Sequence, residues 1–271
     1  MINRPEIISL LGAPCYAEPA EGEELDKLKR ELAEAKEALA ASPDDPECKV
    51  MVGRRLAYLW RYHESIASYT QALQSHPKYA PLYRHRGHRY ISIRRFGAAF
   101  RDLSYANKLQ PGDFDILYHL GLALWLQGDY EGAYKAYEEY LPLCANDDQR
   151  IPVTYWLYAI LRRLDREADA AKLMDSVGND PDIKDDSIYY YHVLRLFRGD
   201  LTEKDIYELM EENDLAAGTI GYGLGLWQLF SGRRDEAVQS FKSVLTGKYW
   251  PAFGFIASET EIARLEGLLP Y

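Results

Sequence analysis

A self-similarity of 34 residues runs through the first half of this 271-residue chain and constrains its fold more than any other feature. The segment 46–79 carries Gly53, Tyr62, Ser65, Tyr69, Ala72 and Pro77, and one period on stand Gly87, Phe96, Ala99, Leu103, Ala106 and Pro111, without a gap. A further step gives Gly121, Tyr130, Ala133, Tyr137, Tyr140 and Ala145, with the turn Gly128-Asp129-Tyr130 between. Glycine costs about 1 kcal/mol against alanine inside a helix, so Gly53, Gly87 and Gly121 imply that a second helix approaches closely. Ala72, Ala99, Ala106 and Ala133 answer them from the other side. Pro77 and Pro111 close the second helix of a pair, because proline lacks the amide hydrogen and pushes its predecessor toward extended geometry. The expected unit is an antiparallel helix pair, stacked on its copies.

Weaker copies follow. Residues 151–184 open on Trp156-Leu157-Tyr158-Ala159, put Asp165 where the turn glycine is due and Ala170 at the small position. Residues 185–217 turn at Gly199-Asp200, and 218–251 return to register with Gly225, Gly232, Ala237 and Phe241. A single helix is expected at 23–41 and another within 255–271, acting as caps with polar outer faces, as the alternation of Lys27, Arg30, Glu31, Glu34, Lys36 and Glu37 suggests. Residues 1–22, with three prolines and no helical period, read as an extended arm along the array.

The quoted positions resemble the tetratricopeptide repeat. The resemblance implies an all-α, right-handed superhelical solenoid of about six helix pairs over 23–254, with single capping helices. It also implies a scaffold whose inner helices line a groove that captures peptides or protein surfaces, although a fold does not name its ligand. The layout is similar in general pattern to bacterial tetratricopeptide-repeat lipoprotein adaptors. The run Leu11-Gly12-Ala13-Pro14-Cys15 departs from a lipobox, with proline before the cysteine and no apolar segment ahead.

By that resemblance the first helix of each pair faces inward. The groove is then lined by Arg54 and Tyr58, by Arg84, His85 and His88, by Tyr118, His119 and Trp125, by Tyr155, Trp156 and Arg162, and by Tyr189 and Tyr222. It should be aromatic, with a basic end. Between Glu64 and Asp102 no acid occurs, while Lys78, Arg84, Arg86, Arg89, Arg94, Arg95 and Arg101 all fall there. In a chain of formal charge -10 this is not even scattering. Guanidinium groups bind carboxylates in a bidentate manner and planar aromatics add rigid contact area, so the expected partner is a protein or peptide with acidic groups. The competing reading for Arg86, Arg89 and Arg101 is pairing with acids of neighbouring helices.

His85 and His88 lie three apart and His119 one period beyond His85, which offers a second reading: a metal site, or acid–base catalysis, at these three. Asp115, one turn before His119, would orient that ring, but the arginines nearby would repel a cation. No GxSxG, HExxH or GxxxxGK pattern occurs. The run Gly221-Tyr222-Gly223-Leu224-Gly225 follows no strand and is expected to serve close helix packing rather than phosphate binding. No cofactor is expected.

The acidic balance argues against general nucleic-acid affinity. Cys15, Cys48 and Cys144 are too far apart for a CxxC motif or a disulfide framework. No apolar run nears the roughly 20 residues that cross a membrane, and no secretory signal stands at the start. The expected compartment is the cytoplasm, or the periplasm or exterior for a mature chain whose signal has been removed. The aromatic run Tyr249-Trp250-Pro251-Ala252-Phe253-Gly254-Phe255 offers either packing for the last helix or a surface for self-association as a homodimer.

Overall fold

The computed structural model describes residues 4–17 and 21–269. Residues 1–3 and 18–20 of the expected arm and 270–271 of the expected cap lie outside the described residues. Among the described residues, fourteen α-helices follow one two-stranded ribbon. The chain divides into two compact units, Met1–Ala123 and Leu124–Tyr271. Apart from that ribbon, both units are all-α.

The first unit holds α1 (Gly22–Ala41), α2 (Pro46–Tyr58), α3 (Tyr62–Ser75), α4 (Ala80–Ser92), α5 (Phe96–Leu109) and most of α6 (Phe114–Gln127). Pro46 begins α2 behind Asp45, whose side chain accepts from the Glu47 amide, so that end is capped and sterically preset. The sixteen-residue offset between glycine and bulky residue is the pairing rule. A Cβ on Gly53 would lie 2.2 Å from Tyr69 Cε1, and one on Gly87 would lie 2.7 Å from Leu103 Cγ. Ser65 Oγ adds a buried bond to the Gly53 carbonyl at 2.7 Å. Val50, Tyr69, Ala72, Leu73 and Leu82 form the core where one pair meets the next.

Residues 4–17 are not an extended arm. Ile7–Ile8 (β1) and Pro14–Cys15 (β2) pair antiparallel, with Ile7 opposite Cys15, and the turn between them is tied by Ser9. Ile7 and Cys15 are buried. The reason for the fold-back lies at the start of α3: Arg61, at its N-cap, offers no side-chain acceptor, and Glu6 Oε1 takes the His63 amide hydrogen at 2.7 Å instead.

The second unit contains α7 (Tyr130–Tyr140), a 3₁₀ turn (Leu141–Leu143), α8 (Asp147–Arg163), α9 (Glu167–Asp175), α10 (Ser187–Arg198), α11 (Glu203–Met210), α12 (Asp214–Phe230), α13 (Arg234–Val244) and α14 (Phe253–Leu265). The glycine run of α12 serves close packing against α10 and α13. Added Cβ atoms would meet Val244 at 2.7 Å from Gly221, Val193 at 2.4 Å from Gly223 and Phe241 at 2.3 Å from Gly225. The last of these repeats the sixteen-residue rule. Asn213 caps this helix by accepting from the Leu215 and Ala216 amides, and Thr202 with Asp205 forms a capping box on α11.

The final helix is not a polar-faced cap. All eleven residues from Gly254 to Arg264 are buried, including Ser258, Glu259, Thr260, Glu261 and Arg264. Gly254 makes this seat: a Cβ there would fall 2.1 Å from the Gly218 carbonyl oxygen. Glu261 Oε1 accepts from Arg163 Nη2 at 2.6 Å, beside the Tyr222 hydroxyl at 3.4 Å. Burial opposes the Arg163 charge, but Glu261 and the phenols of Tyr130 and Tyr222 outweigh it and hold its pKa above the ordinary value. Arg264 donates to the Leu126 carbonyl at 2.7 Å, so a cation meets the negative end of the helix that stops at Gln127. The run from Tyr249 to Phe255 supplies packing here, with Trp250, Ala252 and Phe255 buried.

Two outcomes are expected. Gly53→Ala forces the Tyr69 ring out of a site where it is 1% exposed and should cost about 1–3 kcal/mol in urea unfolding, whereas Gly178→Ala, with nothing within 4 Å, should be near neutral. Glu261→Ala leaves the Arg163 guanidinium buried without its anion and should cost about 3–5 kcal/mol, while Arg163→Met with Glu261→Leu should recover most of that loss.

Candidate functional site

The candidate site lies in the first unit, on α2, α4 and the start of α6. Arg54 sits on α2 with its Nη2 donating to the Tyr58 hydroxyl at 3.1 Å, and Tyr58 is 43% exposed. Arg84, on the first turns of α4, donates to Asp115 Oδ1 at 2.8 Å and from Nη1 to His85 Nδ1 at 3.0 Å. The imidazole proton of His85 therefore sits on Nε2. His119 Nδ1 donates to the Asp115 carbonyl at 2.6 Å, one helical turn back. The His88 and His119 rings lie 4.3 Å apart, Tyr118 meets His119 edge-on at 5.4 Å, and Tyr69 stacks on His85 at 5.9 Å. The predicted basic and histidine-bearing residues are thus brought together.

Arg89 belongs to the same cluster, although its sequence context equally suggested packing. Its guanidinium lies 5.2 Å over the Tyr62 ring. Among the described residues neither Arg54 nor Arg89 has a carboxylate within ion-pair distance. Burial lowers the Arg89 pKa, opposed by the phenols of Tyr62 and Tyr69. Arg86 behaves differently and follows the packing alternative: it grips Asp102 with two bonds, 2.6 and 2.9 Å, and Thr70 with a third.

The three histidines are neutral. Burial, then the charges of Arg84, Arg54 and Arg89, pushes His85 down to about 2. Burial also lowers His88 well below the ordinary imidazole range, with Arg89 next, and His119 likewise, with Arg84 next. Among the described residues no three histidine, cysteine or acidic side chains are placed to hold a metal ion. Two of the ring nitrogens are committed to Arg84 and to a backbone carbonyl, and the guanidiniums disfavour a cation.

The aromatic continuation expected beyond this cluster is not an open groove. Trp125, Tyr155 and Trp156 are 0% exposed and Tyr222 is 1% exposed. Trp125 Nε1 donates to the Tyr222 hydroxyl at 3.1 Å, and Tyr222 faces Glu261, so the last helix of the chain occupies the place assigned to a ligand. Arg162 is engaged by the Phe230 carbonyl at 3.0 Å and the Tyr158 hydroxyl at 3.1 Å. Tyr189 is buried, its hydroxyl held by Asn213 and Glu212. The hydrophobic signal of α14 was visible in the sequence, but its acids disguised it as surface.

Paired helices with small-to-large packing recurring at the repeat spacing are the build of the tetratricopeptide-repeat fold. The family model for the tetratricopeptide repeat matches residues 114–147. A tetratricopeptide repeat protein from Parabacteroides merdae ATCC 43184 has a TM-score of 0.55 at 18% identity, over 88% of this chain and 94% of its own. TTC0263, a thermophilic TPR protein in Thermus thermophilus, reaches 0.46 at 18% identity over 56% of this chain and 82% of its own. YrrB, described as a TPR protein with an unusual peptide-binding site, reaches 0.48 at 13% identity over 85% of this chain and 97% of its own. Comparison with curated proteins gave no match. This chain is a tetratricopeptide-repeat protein in fold, and among the described residues no helix is long and apolar enough to cross a membrane.

The histidine cluster makes stability fall with acid. In the unfolded chain each ring binds a proton near pH 6.5, while in the folded chain His85 stays neutral to about 2 and His88 and His119 stay neutral well below 6.5. The unfolded state therefore binds more protons below pH 6.5, and stability is lost there as pH falls, by up to about 1.4 kcal/mol per pH unit for each histidine. Urea unfolding between pH 6.5 and 5, above most carboxylate titration, should show this slope. The combined His85→Gln, His88→Gln and His119→Gln variant should flatten it.

Proposed function

We propose that this protein is a binding scaffold that docks an acidic segment of a partner protein or peptide against Arg54, Arg84 and Arg89. The observation that carries the reading is the charge balance of the cluster: Arg84 has Asp115, whereas Arg54 and Arg89 have aromatic neighbours and, among the described residues, no carboxylate within ion-pair distance. A half-buried guanidinium without an anion is a standing electrostatic cost, and a ligand carboxylate relieves it through charge-assisted, bidentate bonds. Tyr58 supplies exposed ring area beside Arg54, the kind of rigid, amphipathic contact enriched where partners dock. Neutral His85, with its proton on Nε2, adds a hydrogen-bond donor without a further cation.

Fluorescence anisotropy with labelled acidic peptide pools tests this. Arg54→Gln with Arg89→Gln keeps most of each stem and removes two charges, and should weaken capture at least ~30-fold, about 2 kcal/mol, without lowering the unfolding midpoint. Binding should also fall steeply with added salt. Capture that survives both the double substitution and high salt would sink the reading.

A further inference from the structure

We infer that the acidic group received at Arg54, Arg84 and Arg89 is a doubly charged phosphate monoester on a protein segment, an inference that rests on the docking role proposed above. Three guanidiniums share this face and, among the described residues, one carboxylate, Asp115, answers them. The excess is two positive charges at one place. A single carboxylate cancels one of them and leaves the other half-buried and unmatched. A phosphate monoester carries about -1.5 to -2 at pH 7 with three acceptor oxygens, which matches the excess in a single group.

Donor chemistry points the same way. Arg84 holds Asp115 through Nη2 and His85 through Nη1, yet its Nε is buried with no hydrogen-bond partner. His85, with Nδ1 accepting from Arg84, carries its proton on Nε2. Arg89 lies over the Tyr62 ring and Arg54 is held by its Nη2 bond to the Tyr58 hydroxyl, contacts that pre-organise guanidiniums of the kind that bind phosphate oxygens in pairs. The neutral state of His85 means this ring donates from Nε2 without competing with the arginines for the anion. Guanidinium groups together with the His85 Nε2–H offer donors for three oxygens, more than one carboxylate presents.

The full chain is tested by anisotropy with fluorescein-labelled nonapeptide pools of random flanks whose central residue is phosphoserine, aspartate or serine, with inorganic phosphate as competitor. The expected result is phosphoserine at least ~10-fold tighter than aspartate, no measurable binding for serine, and loss of the phosphoserine advantage in Arg54→Gln or Arg89→Gln. A pool with two adjacent aspartates should fall between. Phosphoserine and aspartate binding within about twofold of each other would overturn the inference while leaving acidic docking intact. Failure of both pools would overturn the docking role itself. Displacement by inorganic phosphate at concentrations equal to the peptide would assign the site to the free ion and also overturn the inference.

Discussion

Everything in this fold depends on how closely two helices of a pair can approach. At Gly53, Gly87 and Gly225 the backbone of the inner helix receives a large side chain sixteen residues on, Tyr69, Leu103 or Phe241, at distances no Cβ would permit. Interiors at this density transmit any change of volume to their neighbours. Once a bulky residue is set against a bare backbone, the offset between the two helices is fixed, and so is the face the inner helix turns toward the concave side. The inward placement of Arg54 and of the Arg84–Arg89 cluster is a consequence of that offset, since these residues share helices with Gly53 and Gly87.

Because the pairing rule is written in glycine and alanine, it is visible to the eye in a bare sequence, and the helix pairs follow from it. The turns are less legible. Left-handed backbone recurs at Trp60, Arg94 and Gly128, and again at Asp165, Gly199 and Gly232, near the same 34-residue spacing, but only half of these positions are glycine. A tryptophan or arginine there announces nothing, although such a residue pays roughly 1 kcal/mol or more for the conformation. The fold-back of residues 4–17 was hidden for a different reason. It answers an orphan amide on His63, 57 residues away from Glu6, and no local pattern encodes so distant a demand.

The last helix was the least legible element. Ser258-Glu259-Thr260-Glu261 reads as solvent-facing, and burial of such residues is costly unless partners wait for them. Arg163 waits 98 residues earlier in sequence, its guanidinium near the rings of Trp125, Tyr130 and Phe230. Neither residue reveals the other, because a buried ion pair is a property of the assembled unit. The candidate site had a similar split. Its arginines and histidines stood out as an acid-free interval, while the choice between Arg86 as packing and Arg89 as site turned on Asp102, which reaches only the first of them.

The two units also supply a comparison of chemistry. In the second, an arginine set among aromatic rings is matched by a carboxylate from the chain's own terminal helix, and the rings of Trp125 and Tyr222 beside that pair are buried. In the first, Arg89 lies over Tyr62 and Arg54 bonds Tyr58, with the described residues supplying no acid to either. The same electrostatic requirement applies to both, since removing a guanidinium from water without an anion is unfavourable wherever it happens. Where the chain meets the requirement itself, the surface is closed and contributes to folding. Where it does not, the requirement persists on a partly exposed face, and that persistence is what supports reading the first unit as the place where an outside anion is received.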